Sequence, residues 1–393
     1  MLNRLRLLTP GPTPLPEEVR LALAKDMVHH RKPHFKSLML EIQEGLQMIF
    51  GTKQPVLPLT CSGSGAMTAA VTNCFSPGES VLVIEGGKFA ERWSEIALAH
   101  GLNVRIMPVE WGRAVNPDQM EAALSEDPQL RGVLVQASET STGVLHPIEK
   151  LGKITAPRDV MLLVDGISAV GVSPCPMDAW SIDCLITGSQ KGLMLPPGLA
   201  FIALSPRAWE RVEKNGRQNF YFDLLAEREN ARSGQTLFTP AINLLVGLKA
   251  ALDLFHCEGL DNIFRRQWAL VSMVRAAVSA MGMTLFARDH FAWGLTSILV
   301  PDGLSAKAIL KTAENEYGVI MAAGQGHMKD SIIRFGHMGY VDFGDITAGL
   351  YALAQSWRAC GGYIGSRDFL EQGLRAYEES LKAGNFNMLE AAI

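Results

Sequence analysis

No apolar run in this 393-residue chain is long enough to span a bilayer. Segments such as Val81–Ile84 and Leu199–Leu204 stop after a few positions and read as buried strands. Cysteine is sparse: six residues, at positions 61, 74, 175, 184, 257 and 360, with no C-x-x-C pair. That spacing argues against a disulfide framework or a metal site and fits the reduced thiols of a cytoplasmic protein. An excess of one charge is also missing. The chain carries 36 Lys and Arg against 40 Asp and Glu, a net charge of −4, so neither nucleic acid nor a membrane recommends itself as a partner. Arg4 and Arg6 lie near the N-terminus, but no apolar stretch follows them as in a secretory signal. Internal repeats and low-complexity tracts are absent.

What is present is a large apolar fraction, 48% against 19% charged, which suits a globular chain of two domains. Residues 1–14 hold Thr9-Pro10-Gly11-Pro12-Thr13-Pro14 and are expected to form an extended arm, since prolines at this density forbid a regular helix. Pro16 to Phe50 reads as helical for most of its length. From Val56 to Leu204, apolar runs (81–84, 104–108, 133–136, 161–164, 184–187, 199–204) alternate with helical patterns such as Phe89–His100, stopped by Gly101, and Pro117–Leu124, opened by Asn116. This alternation predicts βαβ units: an α/β fold with a mostly parallel sheet and helices on both faces. Residues 15–257 are expected to form this large domain. Residues 241–256 read as a buried helix. Residues 258–393 are expected to form a smaller α+β domain with an extra terminal helix over 366–384, capped by Ser366, stopped by Gly384, and docked on this domain or on a partner subunit.

Three segments carry chemistry. In Thr187-Gly188-Ser189-Gln190-Lys191-Gly192 a lysine follows a buried strand, at the sheet end where open α/β sheets bind ligands. A fixed, partly desolvated lysine of this kind can form a Schiff base; alone, it reads rather as a solvated loop residue. Asp165 ends the apolar run Leu162–Val164, 26 residues before Lys191. It can hold the protonated ring nitrogen of pyridoxal 5′-phosphate or simply cap the next helix. In Cys61-Ser62-Gly63-Ser64-Gly65-Ala66, small residues between a strand and the helix Ala66–Phe75 let N–H groups approach a phosphate; no Gly-Lys-Ser/Thr follows, so it is not a P-loop.

Taken in this order along one domain, and with the Pro-Gly-Pro arm at 10–12, Ser141–Pro147, Pro196-Pro197-Gly198 and Arg334–Gly339, these segments resemble the class V aminotransferases, in particular the alanine–glyoxylate and serine–glyoxylate branch. The resemblance covers nearly the whole chain. It implies the fold of the pyridoxal phosphate aminotransferases and a homodimer with its site at the subunit interface. It implies that Lys191 bonds to the cofactor and then moves the substrate proton, with Asp165 at the ring nitrogen. Ser64 and the N–H groups of Gly65 and Ala66 would meet the phosphate, with Gln190 nearby. Phe89 would stack on the ring, Ile167 would pack its other face, and Thr140 would reach the ring oxygen. Thr239 would reach the neighbouring subunit's phosphate; Thr236 stands where relatives carry a tyrosine. Arg334 would grip the substrate carboxylate, which its fork suits, with Gly11 and the main chain of Pro10–Pro12 closing the site.

The activity so implied is ping-pong transfer of an amino group between a small amino acid (alanine, serine or glycine) and a 2-oxo acid such as glyoxylate or pyruvate. The basic loop His29-His30-Arg31-Lys32 keeps a dicarboxylate open; no acidic ligand stands beside it to suggest a metal. Two other readings compete. One is a cysteine desulfurase or another lyase on the same cofactor; a desulfurase needs a mobile cysteine, and Ala322–Lys329 holds none. A non-catalytic subunit of a larger complex would not need Lys191, Asp165 and Arg334 together.

Overall fold

The structure, a computed structural model, describes residues 4–217 and 219–382. The chain opens with a two-residue strand, β1 (Arg6–Leu7), and the arm continues through Pro10–Pro12. The stretch expected to be helical for most of its length is two helices, α1 (Glu17–Leu23) and α2 (Pro33–Phe50), separated by the basic loop. Pro33 explains the break: proline suits the first turn of a helix and not its interior. Gly51, at φ 60°, ends α2.

Seven strands form the main sheet. In chain order the elements are β2 (Val56–Leu59), α3 (Gly63–Cys74), β3 (Ser80–Glu85), α4 (Lys88–Ala99), β4 (Asn103–Pro108), α5 (Pro117–Glu126) and β5 (Leu130–Gln136). A short hairpin of β6 (Ser138–Glu139) and β7 (Val144–Leu145) precedes α6 (Ile148–Thr155), β8 (Met161–Asp165), β9 (Cys184–Gly188) and β10 (Ala200–Leu204). The sheet order is β2-β10-β9-β8-β5-β3-β4. Only β10 runs against its neighbours; β9, β8, β5, β3 and β4 pair in parallel. Alternation sorts the side chains. Leu162, Val164 and Leu185 join a core with α2, α5, α6 and Ile242–Glu258 (α9), while Leu163, Cys184 and Ile186 join a core with α3, α4 and Pro206–Asn215 (α7) on the other face. Strands covered on both faces are apolar throughout, which is why they read as continuous runs.

One expected boundary moves. Helix α3 begins at Gly63, three residues before Ala66, so the small-residue turn is itself the first helical turn. Gly63 suits this position, because a Cβ would lie 2.4 Å from Ile167 Cδ1 and that side chain would have to shift. Asn116 caps α5 as expected, its Oδ1 accepting the Asp118 N–H at 2.9 Å.

After α8 (Leu224–Ala231) and α9, α10 (Leu260–Ala280) joins two cores: Ile263 and Phe264 pack with the sheet, Leu270 to Val278 with the C-terminal elements. These are β11 (Leu295–Leu299), α11 (Ala306–Tyr317), β12 (Val319–Ile320), β13 (Ala322–Ala323), β14 (Ile332–Gly336) and α12 (Phe343–Ala359). β14 is the centre of a three-stranded antiparallel sheet with β11 and β13. The arm crosses to this region: β1 pairs in parallel with β12, and the Gly336 N–H donates to the Leu8 carbonyl at 2.7 Å. α13 (Phe369–Lys382) lies on α10, close enough that a Cβ on Gly373 would meet the Met273 carbonyl at 3.0 Å. Ser366 forms a turn before it, bonding the Asp368 N–H, and the stop expected at Gly384 lies outside the described residues. No helix among the described residues is long and apolar enough to cross a membrane.

Candidate active site

Four connections leave the sheet at one edge. β8 and β9 are parallel neighbours, so Asp165 and the loop after Gly188 emerge side by side. The turns into α3 and α4 leave the same edge, where open α/β sheets hold ligands. They surround a cavity of about 250 Å³ lined by residues that include Ser64, Phe89, Thr140, Asp165, Ile167, Gln190 and Lys191.

The lysine loop is held from several sides. Ser189 Oγ donates to the Pro196 carbonyl at 2.7 Å, the Ser189 N–H to the Leu199 carbonyl, and Thr13 Oγ1 to the Lys191 carbonyl at 3.1 Å. The Lys191 ammonium donates to the Pro10 carbonyl of the arm. Gly11, at φ 109°, lies directly against this side chain: a Cβ there would be 2.6 Å from Lys191 Nζ. Burial, reinforced by the positive charge of Arg334 and opposed by Asp165, lowers the Lys191 pKa to about 8. An appreciable neutral, nucleophilic fraction therefore exists near neutral pH.

Asp165 is buried, and its carboxyl receives one hydrogen bond, from the Ile167 N–H to Oδ1 at 2.8 Å. Desolvation raises its pKa to about 7. A buried acid with so few donors is suited to a cationic partner, which would ionise it.

Arg334, 7% exposed, sits mid-strand on β14. Nε donates to the Ala323 carbonyl at 2.8 Å and Nη1 to the Thr140 carbonyl at 2.9 Å. Neutral carbonyls orient the fork without cancelling its charge, which leaves it available to an anion.

Three features escaped sequence reasoning. Glu139, fully buried, accepts the N–H groups of Phe89 (3.2 Å), Ala90 (3.0 Å) and Ser141 (2.9 Å) and the Ser141 hydroxyl (2.6 Å), so it fixes the start of α4 and hence Phe89. Burial raises its pKa despite these donors. Ser138 lines the cavity with its buried hydroxyl unpartnered. Arg92 also lines it, one helical turn beyond Phe89. Neither carried a signal in the sequence beyond its neighbours: Arg92 stands three residues after Phe89, and Glu139 stands beside Thr140.

Other expected residues fall differently. The N–H groups of Gly65 and Ala66 already donate to the Ser62 carbonyl, at 2.8 and 3.3 Å, whereas those of Gly63 and Ser64 have no such partner. Thr239 is exposed and lines a separate cleft with Thr60, Tyr221 and Phe238. Thr236 is buried, and its hydroxyl donates to the Phe238 carbonyl at 2.7 Å. The basic loop packs on this segment through Arg31, bonded to Gln235 and to the Thr236 carbonyl.

These residues fit pyridoxal phosphate. The cavity offers a depressed-pKa amine, a buried acid open to a cation, apolar side chains in Phe89 and Ile167, free N–H groups at a helix N-terminus, and unpartnered polar atoms on Ser138 and Gln190.

The family model described as aminotransferase class-V matches residues 10–347. A protein named soluble hydrogenase, small subunit, from Synechococcus sp. is 38% identical over 90% of this chain and 93% of its own. A serine–glyoxylate aminotransferase from Hyphomicrobium methylovorum is 36% identical over 88% of each. The crystal structure of ureidoglycine–glyoxylate aminotransferase from Bacillus subtilis superposes with a TM-score of 0.90 at 26% identity, covering 96% of this chain and 99% of that one.

Proposed function

The chain belongs to the class V aminotransferases, enzymes dependent on pyridoxal phosphate, and from that premise we propose that it moves an amino group between a small amino acid (alanine, serine or glycine) and a 2-oxo acid such as glyoxylate or pyruvate, in two half-reactions on Lys191. The observation that carries this reading is that Lys191 and Asp165 line one cavity together with Thr140, whose carbonyl holds the Arg334 guanidinium.

When bound, the cofactor supplies an aldehyde for amines and a ring that accepts the electrons of a broken Cα–H bond. The chain does the rest. Arg334 takes the substrate carboxylate on its untethered side and so sets the orientation of Cα. Lys191 Nζ, neutral in part near pH 8, takes the Cα proton and returns one. Asp165, buried in the cavity lining, would hold positive charge at the ring nitrogen. Phe89 and Ile167 confine the ring, with Thr140 at its oxygen and Gln190 beside it. Ser64, with the first turn of α3, meets the phosphate, a role the resemblance extends to Gly65 and Ala66. Gly11 and its flanking prolines cover the amine and limit water. A single carboxylate-binding arginine, Arg334, favours small substrates.

We further take the enzyme to be a cytoplasmic homodimer in which Thr239 serves the neighbouring site, and we place the division between its large and small domains at 257/258. An exposed aromatic patch supports the dimer: Phe220, Tyr221 and Phe238 are 86%, 53% and 36% exposed and mutually packed, with Tyr221 stacked on Phe238 at 5.3 Å. Solvent exposure of such a cluster marks a contact surface. The desulfurase reading finds no support in Cys61, the thiol beside the α3 turn, because burial pushes its pKa to about 11.

The test is a half-reaction screen. Single amino acids are added to the holoenzyme and the visible absorption of the bound cofactor is followed. Loss of the band with alanine, serine or glycine, and its return with glyoxylate or pyruvate, is the expected result. A band unmoved by any amino acid, or sulfide released from cysteine, contradicts it.

A further inference from the structure

Arg92 has no part in the chemistry above, yet its placement is specific. It is half-buried on α4 and lines the cavity beside Ser62, Gly63 and Ser64. Nη1 donates to Ser64 Oγ at 3.1 Å, and the guanidinium carbon lies 5.1 Å from the centre of the Phe89 ring. Glu91, its neighbour in the chain, is paired with Lys88, and no ion pair to Arg92 is found among the described residues. A guanidinium that faces a cavity, held by a neutral hydroxyl and a ring face, keeps its charge for something that enters.

A phosphate monoester is that something. It would bring close to two negative charges into a cavity already lined by the buried carboxyl of Asp165. A helix N-terminus offsets only about half a charge. Lys191 is reserved for the aldehyde and Arg334 for the substrate carboxylate. Thr236, where relatives place a tyrosine, spends its hydroxyl on its own Phe238 carbonyl. The remaining cation lining the cavity is Arg92.

We propose that Arg92, from the same chain, is the cation that binds the cofactor phosphate, acting with Ser64 and the free N–H groups of Gly63 and Ser64. The proposal rests on the reading of the Lys191 cavity as the cofactor site.

The experiment titrates cofactor-free protein with pyridoxal phosphate and with pyridoxal, which lacks the phosphate, and follows tryptophan fluorescence. For Arg92→Gln the expected result is binding of pyridoxal phosphate weakened roughly 10- to 100-fold, with pyridoxal unchanged. Arg92→Lys should retain part of the difference. Inorganic phosphate should raise the melting temperature of the parent but not of Arg92→Gln. Equal weakening of both ligands, or undiminished affinity for pyridoxal phosphate, overturns the proposal. A parent protein that binds neither ligand would instead overturn the cofactor reading beneath it.

Discussion

Asp165 should make the cofactor-free protein less stable, and removing its charge should show by how much. Its carboxyl is buried with one hydrogen-bond donor, and its pKa is raised from the usual 3.8 to about 7. An acid whose pKa is higher folded than unfolded binds its proton more tightly in the folded state. Stability is therefore lost as pH rises from the unfolded value through the folded one. The loss amounts to about 2 kcal/mol at pH 5 and about 4 kcal/mol at pH 8. Asp165→Asn preserves the acceptor for the Ile167 N–H and has no charge to desolvate. The cofactor-free variant should therefore melt higher than the parent, by a margin that grows between pH 5 and pH 8. The holoenzyme should lose activity by roughly 100-fold, because nothing then holds positive charge at the ring nitrogen. Melting curves of both cofactor-free proteins at the two pH values decide the matter. A margin that does not change with pH, or a variant that melts lower at pH 8, would refute the reasoning.

Capture of the aldehyde by cofactor-free protein requires the neutral amine, so its rate should rise with pH and level off above about 8, the Lys191 value; stopped-flow absorbance reads this directly. Arg334→Met should lower kcat/KM by roughly 10- to 100-fold through loss of a charged carboxylate contact. The same substitution should move the capture plateau to higher pH, since the Arg334 charge helps depress the Lys191 pKa. Gly11→Ala places a methyl 2.6 Å from Lys191 Nζ at a φ of 109°. It should cost about 1–2 kcal/mol in stability and slow capture, measured by melting and by the same stopped-flow trace.

Much of this architecture is legible in the sequence for a definite reason. β5, β8 and β9 are covered on both faces, so they appear as unbroken apolar runs, and the polar residues that end two of them, Asp165 and the Lys191 loop, stand out. The early start of α3 was not legible. A helix of small residues looks like a flexible turn until the Ile167 side chain is seen packed close against Gly63. Arg92 lies within an amphipathic helix, where an arginine ordinarily faces water; only the cavity beside Phe89 distinguishes it. Glu139 is a lone acid in a polar run, and its four donors come from two segments that meet only in the fold.

The account depends on a bond between the cofactor and one particular amine. Borohydride reduction of the holoenzyme followed by peptide mass mapping tests it. The mass of the reduced cofactor should appear on the peptide that contains Lys191, and Lys191→Ala should abolish it. Attachment to a different lysine, or no attachment in a protein that still transaminates, would contradict it.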